Sequence, residues 1–294
     1  MIGVPMLEMP RIEVGDWFAA LVDWVRENLQ GLLDLIGTVL NFLFDEVSEG
    51  LLLVPPLILA VVLAAIALLV RGWKFGLVAL AGLLLIQSMA QWDNAMLTLV
   101  LVLIAAGFAM LLALPIGIAA ARSNAAAAAI RPVLDFMQTL PAFVYLIPVI
   151  FLFGIGAVPG MVATVVFAMP PGVRLTELGI RQVDQEMVEA GHAFGAPPRD
   201  ILTRIQIPLA LPTIMAGVNQ VIMLSLSMVV IGAFVGAPGL GADVLSGITR
   251  LNLELGFEAG LAVVILAIYL DRVTSGLADR SSVARAQKRV TAGR

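Results

Sequence analysis

Few side chains in this sequence could do chemistry, and none has the neighbours to do it alone. The lysines are Lys74 and Lys288, preceded by Trp73 and Gln287, so no glycine-rich Walker A loop carries a lysine to a nucleotide's phosphates. His192 is the single histidine and there is no cysteine, which removes thiol chemistry and any His/Cys metal set. No HExxH occurs, and Gly239-Leu240-Gly241-Ala242-Asp243 misses the GxGD spacing of membrane aspartyl proteases. His192 then reads as a polar surface residue. Asp135 and Glu258 fall near the ends of apolar runs, an interface position, and not in mid-run, where a carboxylate coupled to an ion gradient would sit. The chain is expected to be no enzyme and to lack a power source of its own, with hydroxyl and backbone sodium sites left open.

The elements that carry these residues are membrane helices. Of 294 residues, 61% are hydrophobic and 13% charged, against roughly 25% charged in soluble domains. The mean hydropathy is +1.03. The 27 glycines and 16 prolines also suit membrane helices, where neighbouring helices re-satisfy freed backbone groups. Residues 1–50 read as an amphipathic segment, with Phe18, Leu21, Val25, Leu29, Leu32, Ile36, Val39 and Leu43 on one face and Asp16, Asp23, Glu27, Asp34 and Asp45 opposite. Trp17 and Trp24 beside the apolar stripe fit a helix lying flat in the membrane interface; packing on the bundle is the alternative. Residues 1–15, with Glu8, Arg11 and Glu13, lack a signal peptide's apolar core, so the first span is expected to direct targeting.

Seven apolar runs are long enough to cross about 30 Å of hydrocarbon, at 51–70, 75–91, 95–121, 134–153, 158–173, 209–235 and 257–270. The fifth is expected to close on Pro170-Pro171. Arg71, Lys74, Arg122, Arg131, Arg174, Arg181, Arg199, Arg204 and Arg272 fall on one side, together with a basic tail at 273–294. Arg11, Arg26 and Arg250 fall on the other. By the positive-inside rule the N-terminus is outside and the C-terminus cytoplasmic, and the transmembrane domain occupies 51–272. The longest internal hydrophilic stretch, 174–208, then faces the cytoplasm. Within it Met187, Ala190, Ala193 and Phe194 share a helical face, and Gly195 offers a break where positive φ costs little. Pro197-Pro198 starts a second short helix that Pro208 is expected to end.

This stretch, about 184–208, resembles the cytoplasmic "EAA" loop of bacterial ABC importer permeases: Glu-Ala-Ala, three residues, Gly, nine residues, Ile, any residue, Leu-Pro. Here Glu189-Ala190-Gly191, Gly195 and Ile205-Gln206-Ile207-Pro208 stand at that spacing. Gly191 replaces the second Ala, which loosens the helix by about 1 kcal/mol, and Ile207 replaces Leu. The resemblance extends over 51–280 and is nearest to the glycine betaine/proline betaine type, through 137–146, 152–156, 211–220 and 265–272.

The resemblance implies an all-α polytopic bundle of the type I importer permease kind, in a bacterial inner membrane. It implies two copies of a cytoplasmic ATPase, which hold the ATP and Mg, and an external substrate-binding protein. One loop per chain implies a second copy of this chain; no nucleic-acid partner is implied, and lipid surrounds the spans. The cargo would be glycine betaine, proline betaine, choline, carnitine or trimethylamine oxide. With Trp 4 and Tyr 2 there is no evident aromatic cage in the spans, so selection would fall to the binding protein. Gln138, Thr139, Tyr145, Asn219, Gln220, Ser225 and Ser227 are candidates for a weakly polar path, with interhelical hydrogen bonding as the alternative for each. Gly/Pro-rich 154–160 and 232–241 could be gates, binding-protein contacts or plain turns. An ion-gradient-driven carrier without an ATPase is the competing reading.

Overall fold

In the computed structural model, which describes residues 13–279, every regular element is helical. In chain order they are α1 (Val14–Asn28), α2 (Gln30–Leu53), α3 (Pro56–Arg71), α4 (Trp73–Ser88), α5 (Trp92–Arg122), α6 (Asn124–Thr139) and α7 (Ala142–Phe153). There follow α8 (Ala157–Arg181), α9 (Gln185–Ala193), α10 (Pro198–Asp200), α11 (Ile207–Gly232), α12 (Leu240–Thr249) and α13 (Leu253–Asp279). A π-helical stretch at Ile201–Gln206 joins α10 to α11, making one continuous run over Pro198–Val235. Residues 1–12 and the basic tail from Arg280 lie outside the described residues.

Prolines decide where the apolar runs are cut. The proline ring pushes the residue before it out of the α region, while proline itself is tolerated in a first turn. Val54 (φ −78°, ψ 129°), before Pro55-Pro56, parts α2 from α3 with a bend of 106°. Leu140 (φ −68°, ψ 132°), before Pro141, parts α6 from α7 with a bend of 99°. The runs at 51–70 and 134–153, each expected as one span, are therefore broken. The reverse correction applies to the fifth run. Pro170-Pro171 does not close it, and α8 continues to Arg181. Nor does Pro208 end a helix: it sits in the first turn of α11. Its missing N–H cannot serve the Arg204 carbonyl, and the π-helical stretch before it absorbs that mismatch.

Among the described residues four runs are long and apolar enough to cross a membrane, α5, α8, Pro198–Val235 and α13; counting each bent pair as one span gives six. The expected run at 75–91 is not among these six and corresponds to α4, which with α3 forms a hairpin of two 16-residue helices, each about 24 Å long, turning at Gly72. The amphipathic segment is present as α1 and α2. α1 buries none of its residues and exposes Trp17, Phe18, Leu21 and Trp24.

The centre of the bundle is α5 against α8 and α11. Small residues let these backbones meet: a Cβ at Gly172 would lie 2.9 Å from Ala113 Cβ and 3.1 Å from Val221, and one at Gly117 would lie 2.6 Å from Thr176. Charge appears only where α8 has passed its apolar part, from Arg174 onward, at the end of the bundle that carries α9. There Asn219 of α11 donates to Asp271 of α13 at 2.9 Å, and Arg71 pairs with Asp279 at 3.0 Å. At the opposite end α12 is held to α5 by Asn94 donating to Asp243 at 2.7 Å and by the Leu240 N–H donating to Thr98 Oγ1 at 2.9 Å.

Candidate functional site

The loop at 184–208 is built to hold one short helix out from the bundle. Asp184 starts α9 by accepting the Glu186 N–H at 3.0 Å. Gly195 ends it in the left-handed region (φ 77°). The Gly195 N–H donates to His192 O at 2.9 Å and the Ala196 N–H to Gly191 O at 3.1 Å, the paired bonds of a Schellman cap. Gly191 is buried, and a Cβ there would lie 2.8 Å from Ile205 Cδ1 and 3.4 Å from Ile201. The departure from the family's alanine therefore has a packing reason, since glycine lets α9 lie directly on the π-helical stretch. Ile207 packs into a cluster with Ile180, Leu202, Ala210 and Ile214 that joins α8 to α11. Pro208 turns the run into α11.

Thus Gly191, Ile205, Ile207 and Pro208 form the frame, and Glu189 and Ala190 stand outside it, both exposed. The face of Met187, Ala190, Ala193 and Phe194 is exposed as well, and Phe194 is 92% exposed. An aromatic side chain held in the open at the tip of a capped helix is what a groove on another protein can receive.

The path candidates do not converge into one pocket. Gln138 and Thr139 close α6 at the Pro141 break and are exposed. Tyr145 is buried edge-on to Phe167, with ring centroids 5.9 Å apart, and its hydroxyl donates back across the break to the Met137 carbonyl. Asn219 is spent on interhelical bonds, donating to Asp271 and accepting from the Thr274 hydroxyl at 2.6 Å. Ser225 is fully buried, with an Oγ that has no hydrogen-bond partner among the described residues. Gln220 and Ser227 lie on one exposed stripe of α11 with Ala216 and Met223, and Ser227 donates to Met223 O at 3.2 Å. An exposed amide among apolar side chains marks that stripe as unsuited to lipid.

A polar cluster that the sequence reading passed over lies beneath the break. Glu177 of α8, its side chain 7% exposed, accepts from Arg131 of α6 at 2.9 Å and pairs with Arg181 at 3.0 Å. Arg181 also donates to Asn124 and to the Ala120 carbonyl, and Arg174 pairs with Asp135. Arg131, Asp135, Arg174, Glu177, Leu178 and Arg181 line a cavity of about 320 Å³. The available signal was Glu177 between Arg174 and Arg181, three and four residues away on a helix. An end of the run at Pro170-Pro171 would separate these residues from the helix that carries them. No group of three or more His, Cys, Asp or Glu side chains that could hold a metal occurs among the described residues.

Comparison with known proteins agrees with this architecture. The glycine betaine transport system permease protein OpuAB of Bacillus subtilis is 45% identical over 272 residues, 92% of this chain and 96% of the relative. The glycine betaine/proline betaine transport system permease protein ProW of Escherichia coli is 45% identical over 278 residues, 95% of this chain and 78% of the relative. The trimethylamine N-oxide transport system permease protein TmoV of Ruegeria pomeroyi is 36% identical over 88% of this chain and 41% of its own length. A chain of the MetNI methionine ABC transporter, solved in inward-facing conformations, shares the fold with a TM-score of 0.58 at 20% identity, over 63% of this chain and 93% of its own. The profile of the binding-protein-dependent transport system inner membrane component family matches residues 113–282, which include the whole loop frame and all the path candidates. By that match and by those relatives, this chain belongs to the family of inner membrane components of binding-protein-dependent transport systems.

Proposed function

We propose that this chain is the pore-forming subunit of an ATP-driven importer for glycine betaine or a related trimethylammonium compound, working as a pair of copies. Two ATPase subunits would dock on the two α9 helices, and a substrate-binding protein would deliver cargo to the opposite end. The observation that carries the reading is the exposed Phe194 face on a helix whose base is locked into the bundle. A displacement of α9 passes through Gly191 and Ile205 into the single run Pro198–Val235, and through Ile207 into α8. Rigid-body motion of α8 and α11 could then open the path to alternate sides. Family membership favours this over an ion-gradient-driven carrier.

In this reading α3, α4, α5, the α6–α7 pair, α8, α11 and α13 make seven crossings. The arginines gathered at the α9 end support a cytoplasmic position for that end, which would put α1 outside, with Trp17 and Trp24 resting in the membrane interface. Vesicles holding permease, ATPase and ATP, with binding protein outside, test the proposal. Glycine betaine uptake should require ATP, and Ala190→Pro, which breaks α9 while leaving the spans intact, should lower it at least about tenfold. Unchanged uptake in Ala190→Pro would remove α9 from the mechanism; no uptake of any trimethylammonium compound by the wild type would remove the substrate class.

A further inference from the structure

The break between α6 and α7 lies well inside the bundle. Tyr145, just beyond it, meets Phe167 and clusters with Met228, and Phe167 stands seven residues, about 10 Å, from the first charge on α8 at Arg174. Open backbone at that depth is tolerated only where it is covered by protein or lines a polar cavity. Here it is not covered. Gln138 and Thr139 are exposed, and their main-chain carbonyls accept no hydrogen bond among the described residues, while the neighbouring Phe136 and Met137 carbonyls are both used. Two free carbonyls at the C-terminal end of a helix are a concentration of partial negative charge.

Beyond the break two aromatic rings are in contact. Phe143, in the first turn of α7, and Phe234, in the 3-10 turn just past the end of α11, meet edge to face with centroids 5.1 Å apart and planes at 79°. They remain 51% and 57% exposed. Phe234 continues the α11 stripe of Gln220, Met223 and Ser227, so these rings border the polar side of the molecule and not a purely lipid-facing one. Exposed rings set nearly at right angles suit a large, weakly hydrated cation that cannot donate hydrogen bonds.

We propose that this break is a waypoint for the trimethylammonium head group, held by the faces of Phe143 and Phe234 and by the free carbonyls of Gln138 and Thr139. The site would be phenylalanine-built, which is why a search for Trp and Tyr does not find it. The proposal rests on the reading of the chain as a trimethylammonium permease. It adds that the permease itself recognises the cargo, and does not leave all selection to the binding protein.

The test uses the complete complex of permease, ATPase and binding protein in vesicles, and its quantity is glycine betaine taken up per ATP hydrolysed. Phe143→Leu and Phe234→Leu keep apolar bulk but remove the ring; each should lower that ratio about tenfold. Phe143→Tyr keeps the ring and should stay within about twofold of wild type. Because the ratio is normalised to hydrolysis, a variant that folds poorly lowers both terms and leaves it unchanged. A wild-type ratio in both leucine variants, or an equal fall in Phe143→Tyr, would overturn the waypoint. A wild-type complex that takes up no trimethylammonium compound would instead bring down the substrate reading, and the waypoint with it.

Discussion

Two of this chain's turns at proline have ends that are finished differently. After α9, the turn through Gly195 to Pro198 satisfies its own backbone, because the Gly195 and Ala196 N–H groups return to the helix and Gly191 seats on Ile205. After α6, the turn at Pro141 leaves the Gln138 and Thr139 carbonyls free among the described residues, with Tyr145 bridging only to Met137. The first turn is complete within one chain and presents a rigid knob, Phe194. The second is incomplete in one chain, and what completes it has to come from outside: a second copy, water or cargo. On the proposed reading, the difference separates a part that would receive force from a part that would receive substrate.

That contrast can be broken in several places. The largest effect should come from Phe194→Asp, which puts a charge where the knob would enter a groove. ATPase affinity, read by titrating ATPase onto purified permease, should fall at least about thirtyfold, the scale of a hot-spot residue. Next, Glu177→Ala removes the acceptor that ties Arg131 of α6 to α8 beneath the break, and leaves Arg181 without its carboxylate. It should cost about 2 kcal/mol, read as a lowered melting temperature in detergent, with ATPase affinity retained. Asn219→Leu removes the link between α11 and α13 and should cost about 1 kcal/mol by the same measurement. The smallest effect is expected from Gly191→Ala. Its gain in helix propensity, about 1 kcal/mol, is offset by moving the flexible end of Ile205, so melting temperature and affinity should both stay near wild type. A large loss there would mean that α9 needs closer seating than its frame implies.

What could be read from the sequence follows from how local each determinant is. The α9 loop was legible because Glu189, Gly191, Gly195 and Ile205 to Pro208 act within twenty residues, and Gly195 takes the positive φ its position calls for. The apolar runs were legible as composition, but not as continuous helices. Pro115, Pro170, Pro171 and Pro212 leave their helices unbroken, while Pro55 and Pro141 divide theirs. One residue type gives both outcomes because neighbouring helices, which the sequence does not reveal, decide whether the freed carbonyl is tolerated. Partners distant in sequence were not legible for the same reason. Arg131 and Glu177 are 46 residues apart, Asn219 and Asp271 are 52 apart, and the pairing of Phe143 with Phe234 has no local signature.

On the proposed reading energy enters this chain through α9 and not through an ion gradient. That reading is tested most directly by measuring glycine betaine uptake into vesicles while the components are omitted one at a time. Uptake is expected only when ATPase, ATP and binding protein are all present, with an imposed sodium or proton gradient neither sufficient nor required. Uptake by the purified chain alone, driven by such a gradient, would contradict it.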